Sequence, residues 1–177
     1  MKQFKWAIAL VLLVAVQTSF AEYKVSDKDG SVGFSGEHAG MKFSGTFNKW
    51  SATLSLPSAP AEEGFIQANF SLKSAKTGDS IYDETLPEGD WFDAVNHPTG
   101  EFKSSSVLKS ANGYEVKGTL SLRGKTLPAS FALIRSGERL NASFVIDRLA
   151  YGIGLDSDPD AEWVSKDIQM TLDIPQS

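Results

Sequence analysis

The sequence has no cysteine and only two histidines, His38 and His97, which lie far apart. The first absence excludes disulfides, thiolate nucleophiles and every metal site built on sulfur. The second leaves no histidine cluster, and a lone pair without ligand spacing does not make a metal site. Basic residues are in the minority: 17 Lys plus Arg stand against 22 Asp plus Glu, a formal charge of −5. That balance argues against nucleic acid as a partner and against anionic lipid surfaces held by charge alone. No Gly-x-Ser-x-Gly elbow marks a nucleophilic serine. Asp156-x-Asp158-x-Asp160 has the opening spacing of a calcium loop, but it lacks the central Gly and the distal Glu. A solvated acidic loop is expected there. No catalytic residue, metal ligand or enzymatic activity is assigned.

Long apolar runs are equally scarce. The one example, Trp6 to Val16, follows Lys2 and Lys5 and precedes Ser19-Phe20-Ala21. A basic start, a short apolar stretch and small residues before the cut describe an export signal cleaved after Ala21. The expected organisation is a signal peptide over 1–21 and one domain over 22–177. Loss of Lys2 and Lys5 leaves 15 basic against 22 acidic residues, and the formal charge becomes −7. No other segment is apolar enough to span a membrane, so no membrane span is expected in the mature chain.

What the chain does have is alternation. Tyr114, Val116, Gly118, Leu120 and Leu122 share one parity; after Arg123-Gly124 the apolar set becomes Leu127, Ala129, Phe131 and Leu133. That switch requires two antiparallel strands and a two-residue loop, pairing Leu120 with Leu127, Gly118 with Ala129 and Val116 with Phe131. The small Gly118–Ala129 pair leaves a gap for a bulky side chain or for a ligand. Before this hairpin, a three-residue loop Ala111-Asn112-Gly113 is expected, with Phe102 opposite Leu122 and with Ser104 and Ser106 facing inward. Pro128 cannot donate to its outer neighbour, so a local splay is expected beside it. The parity change after Asn48-Lys49 suggests a strand corner. Residues 74–97 break the alternation. They read as one or two short helical turns capped by Asp79 or Ser80, with Ile81, Leu86, Trp91 and Phe92 facing inward.

About eight antiparallel strands with one apolar face imply an all-β fold, either a closed barrel with a short helical insertion or a two-sheet sandwich. Phe34, Phe43, Phe47, Phe70, Phe102, Phe131 and Phe144 supply the inner face, interrupted by small residues such as Ala68. A barrel of this size either fills with side chains or holds one ligand.

The ordered residues also resemble a known family. Ser31-x-x-Phe34, Gly45-x-Phe47, Asp83-x-x-Leu86, Trp91-Phe92-Asp93, Pro98 with Phe102 and Ser104, Gly118-x-Leu120 with Gly124 and Pro128, Asp147-Arg148 and Tyr151-Gly152-Ile153 resemble the YceI-like family of exported bacterial proteins. The resemblance runs the length of the mature chain. It implies a single lipocalin-like antiparallel barrel enclosing an apolar tunnel for a polyisoprenoid or a prenylated quinone, and a periplasmic location. Two positions depart from it. Tyr82 stands where many members carry Arg, and Ala150 where many carry Asp, which weakens the case for a diphosphate head.

The expected tunnel lining is Phe34, Phe43, Phe47, Phe70, Ile81, Leu86, Trp91, Phe92, Phe102, Val116, Gly118, Leu120, Ala129, Phe131 and Phe144, with His38, Asp83 and Arg148 as head-group candidates. The leading expectation is a non-enzymatic carrier of a long-chain prenyl lipid, needing no cofactor beyond a bound polyisoprenoid or quinone. The alternative is a filled barrel acting as a protein-interaction or stress-response module through its acidic loop and an exposed Trp50 or Trp163. A third reading gives a bound quinone a membrane electron-transfer partner. An uncovered edge strand would allow a homodimer.

Overall fold

The computed structural model describes residues 22–177; the expected export signal lies outside the described residues. Eleven strands form one curled antiparallel sheet. They are β1 (Glu22–Ser26), β2 (Ser31–His38), β3 (Met41–Phe47), β4 (Trp50–Ser55), β5 (Phe65–Ser71), β6 (Ala75–Lys76), β7 (Thr99–Ser110), β8 (Gly113–Leu122), β9 (Lys125–Ser136), β10 (Arg139–Asp147) and β11 (Asp167–Pro175). Their spatial order is β1-β4-β5-β7-β8-β9-β10-β11-β2-β3-β6. The count exceeds the expected eight for physical reasons. β3 and β4 are one run broken at the Asn48-Lys49 corner, β6 continues β5 through a 3-10 turn at Leu72–Ser74, and β1 adds a short edge. The corner is pinned by hydrogen bonds from the Asn48 N–H to the Ser74 carbonyl and from the Lys49 N–H to Ser74 Oγ, both at 3.0 Å. Because β1 lies on β4 and β6 lies on β3, this corner brings the two ends of the sheet together around an apolar interior.

The central hairpin has the register its sequence demands: Leu122 faces Lys125, Leu120 faces Leu127, Gly118 faces Ala129 and Val116 faces Phe131. Arg123 and Gly124 both take positive φ, +47° and +73°, as a two-residue turn between twisted strands requires. The preceding hairpin differs from expectation. Its loop is Ala111-Asn112, with Ser110 opposite Gly113, and a bulge between Ser104 and Ser106 restores the parity. Phe102 therefore faces Leu120, Val107 is buried, and Ser106 turns away from the interior opposite Lys117. One extra residue in β7 has the same effect on facing as one extra residue in the loop. Beside Pro128 the β9–β10 ladder is absent. It covers only Arg139–Ser136, Leu140–Arg135 and Asn141–Ile134, and the two strands then part.

Fully buried Leu54, Val107, Val116, Leu133 and Leu140 fill one end of the interior. Toward the other end the packing is aromatic. Phe47 meets Phe34, Phe70 and Phe92 at ring distances of 5.4, 5.0 and 5.9 Å, and Phe131 lies between Phe102 and Phe144 at 5.3 and 4.7 Å. The insertion contains one helix, α1 (Ser80–Thr85), whose N-cap Asp79 accepts from the Ile81 and Tyr82 amides. Trp50, which the interaction-module alternative needed exposed, is buried, because β4 presents it on the same face as Ala52 and Leu54.

Candidate functional site

Three apolar cavities follow one another through the interior. The outer one, about 280 Å³, lies under α1 and the β10–β11 loop; Phe34, Phe43, Leu86, Trp91, Trp163 and Val164 are among its walls. A middle one of about 60 Å³ shares Phe34, Phe43, Leu86, Trp91 and Val164 with it and adds Phe47, Phe92 and Ile153. An inner one of about 70 Å³ shares Phe70, Leu120 and Met170 with the middle cavity and continues to Phe102, Phe131 and Phe144.

Most of the expected lining residues therefore do line these spaces, and four stand apart. Ile81 borders the outer cavity from its rim and is 70 % exposed, because α1 lies across the mouth and does not plug it. Val116, Gly118 and Ala129 are not among the residues lining any of the three. The gap at Gly118 is closed by protein: a Cβ there would sit 2.3 Å from the Lys103 carbonyl oxygen and 2.9 Å from the Phe102 ring. The β7 bulge brings that strand's backbone over the glycine. Sequence reasoning missed Val164, Ile168 and Met170. The parity of β11 carried a signal for the last two; Val164, in an irregular loop, left none.

The three head-group candidates have different surroundings. His38 lines the outer cavity and pairs with Tyr82, Nδ1 to Oη at 2.6 Å, the rings 5.5 Å apart. The Asp83 carboxylate instead accepts from the Thr77 amide at 2.6 Å and the Thr77 hydroxyl at 3.0 Å. Those bonds hold its carboxyl below the usual carboxylate range and tie α1 to the strand before it. Arg148 is 1 % exposed and has no N–H left for a head group. Nε donates to the Ser165 carbonyl at 3.1 Å, Nη1 to the Ile153 and Gly154 carbonyls at 2.8 and 3.3 Å, and Nη2 to the Val164 carbonyl at 2.8 Å and to Asp158 Oδ2 at 2.6 Å.

Asp158 is correspondingly not solvated, as the acidic-loop reading expected, but buried. Burial opposes its charge; the amides of Val164, Trp163 and Glu162 and the Arg148 guanidinium outweigh that and hold the carboxyl below the usual range. Asp90 joins the insertion to the same loop, accepting from the Asp156 and Ser157 amides and from the Ser157 hydroxyl at 2.6 Å. Arg123 bridges from the β8–β9 turn to the Gly152 and Gly89 carbonyls at 2.6 and 2.7 Å. The mouth is thus built from three segments cross-tied by side chains. Among the described residues no group of three or more acidic, His or Cys side chains is placed to hold a metal ion. No helix among them is long and apolar enough to cross a membrane.

Comparison with known proteins assigns this architecture. The family model described as the YceI-like domain matches residues 23–175. The chain belongs to the YceI-like family. A UPF0312 protein of Vibrio cholerae is 29 % identical over 134 residues, spanning 72 % of this chain and 71 % of the relative. A UPF0312 protein of Pseudomonas aeruginosa is 24 % identical over 95 % of this chain and 93 % of its own length. The crystal structure of Burkholderia cenocepacia BcnA superimposes with a TM-score of 0.72 at 25 % identity, covering 82 % of this chain and 94 % of BcnA. A polyisoprenoid binding domain from Saccharophagus degradans, implicated in plant cell wall breakdown, gives a TM-score of 0.60 at 15 % identity over 88 % of this chain and 97 % of that one, which shows the shared fold. The YceI-like barrel is thus all-β, antiparallel and lipocalin-like.

Proposed function

We propose that this YceI-like protein binds one long-chain prenyl lipid, a polyisoprenoid or a prenylated quinone, inside its barrel and carries it through the periplasm without chemical change. The observation that carries the reading is the succession of three apolar cavities, each sharing lining residues with the next. The outer cavity alone, about 280 Å³, is at the low end for a drug-sized ligand, so a long chain must thread inward. Rotation of the shared Phe70, Leu120 and Met170 side chains joins the spaces. Burying a few hundred Å² of prenyl surface at about 25 cal/mol per Å² supplies on the order of 5–10 kcal/mol before ordering costs. The polyisoprenoid-binding neighbour with the same fold supports this ligand class. The export-signal reading of residues 1–21 supports the compartment, and N-terminal sequencing of the exported form should begin at Glu22.

The test is uptake by delipidated protein. A saturable, one-to-one gain of a long prenyl lipid is expected; absence of saturable uptake across prenyl lipids of every head type would refute the proposal.

A further inference from the structure

Resting on the carrier reading above, we infer that the seam between β9 and β10 is a second opening of the tunnel, closed by Phe131 and Phe144, through which the end of an apolar chain longer than the interior passes out. The seam is a break in an otherwise regular sheet. β9 stays paired with β8 down to Lys125, and β10 stays paired with β11 up to Asp147. Between β9 and β10 the ladder holds only from Arg139–Ser136 to Asn141–Ile134. Continued, that register would set Ala142 opposite Leu133, Phe144 opposite Phe131 and Ile146 opposite Ala129, yet no backbone hydrogen bond joins these residues.

The side chains along the break face inward but are incompletely covered. Leu127, Phe144 and Ile146 pack against the core and are only partly buried. Phe144 lines the inner cavity and Ile146 the middle one, so these residues touch both the tunnel and the outside. Phe131 and Phe144 cover the break between them. Their rings are stacked, 4.7 Å apart and 14° from parallel, whereas the Phe34–Phe47, Phe47–Phe70, Phe47–Phe92 and Phe102–Phe131 pairs are tilted by 50° or more. Parting the stacked pair breaks no ladder bond.

The inner end offers a chain no other way on. A chain that has filled the inner space, about 70 Å³, meets the packed end built by Leu54, Val107, Val116, Leu133 and Leu140. Outside the break, Val145 and Pro128 present exposed apolar surface. The interior thus fixes how much of a chain is bound, not how long the chain is. Affinity should rise with length while added units are buried and level off once they emerge into water.

The test uses a short and a long prenyl alcohol on delipidated protein. Val145→Cys, in a chain with no cysteine of its own, carries an environment-sensitive dye at the rim of the seam. The long alcohol should shift the dye emission to the blue, and the short one should not. Ser130→Cys combined with Val145→Cys, opposite one another in the continued register, lets a short thiol-reactive linker seal the seam. Sealing should weaken the long alcohol at least about tenfold and change the short one by less than about twofold, relative to the same variant before linking. A bound long alcohol that leaves the dye unshifted, or unchanged long-chain affinity after sealing, would overturn the second opening and leave the carrier reading intact. No saturable uptake of either alcohol by the parent protein would overturn both.

Discussion

Arg148 and Asp158 form an ion pair with Nη2 and Oδ2 2.6 Å apart and both side chains buried, ten residues apart across the loop that roofs the barrel mouth. Each is also bonded to backbone, so the pair organises the loop as well as neutralising itself. Removing one partner leaves a buried charge alone, and Asp158→Ala is expected to lower stability by about 3–5 kcal/mol in urea unfolding.

The same carboxylate sets an acid limit. Its folded pKa lies below the unfolded value, so its contribution is complete above about pH 4 and is lost as pH falls through the lower folded value. Unfolding free energy measured between about pH 5 and pH 2 should fall steeply for the parent protein and less steeply for Asp158→Asn. Equal slopes would show that folding leaves the Asp158 pKa unshifted, against the lowered value its surroundings impose.

An alkaline limit follows from two phenols. Burial pushes Tyr151 up to about 12, and burial, aided by the neighbouring Tyr114, pushes Tyr23 up to about 12. A raised phenol pKa favours the folded state below the unfolded value near 10, and that benefit disappears as pH rises through about 12. Absorbance titration near 295 nm should show these two tyrosines ionising close to pH 12 or together with unfolding. In Tyr151→Phe the late ionisation should involve one tyrosine fewer.

Gly118→Leu is expected to damage folding, not gate the tunnel. A Cβ at that position meets the Lys103 carbonyl at 2.3 Å and Ser104 Cα at 2.8 Å, backbone atoms that cannot swing aside. The expected loss is about 1–3 kcal/mol or more in chemical denaturation. Undiminished stability would mean that the β7 bulge moves freely.

Ala68, by contrast, lines the inner cavity opposite Phe102 and has room beside it. Ala68→Phe should shorten the tunnel without closing its mouth. Uptake of a long prenyl chain should fall by tenfold or more, by about the loss of two buried CH₂ groups, while a short-chain analogue binds as before. Equal loss for both lengths would place the chain elsewhere.

These outcomes show where the sequence spoke and where it was silent. The Arg123-Gly124 hairpin was legible because a parity switch across a two-residue loop admits a single register. The hairpin before it was not, because a bulge within Ser104-Ser105-Ser106 leaves no special residue type and compensates for the shorter loop. Pro128 pointed to a local splay, but the β9–β10 ladder already ends at Ile134, six residues away, so the parting is wider than one missing N–H explains. The aromatic walls were visible through period-two patterning. The roof was not: Arg148 looked like a free cation at a loop, and only the folded backbone shows five N–H groups already spent. Tyr82 registered as a lost charge, and its bond to His38 needed the third dimension.

The most direct measurement is native mass spectrometry of the protein purified from its own source, followed by solvent extraction and identification of what is released. The account predicts one prenyl lipid per chain. A ligand-free mass, together with no saturable uptake of any prenyl lipid after delipidation, would contradict it.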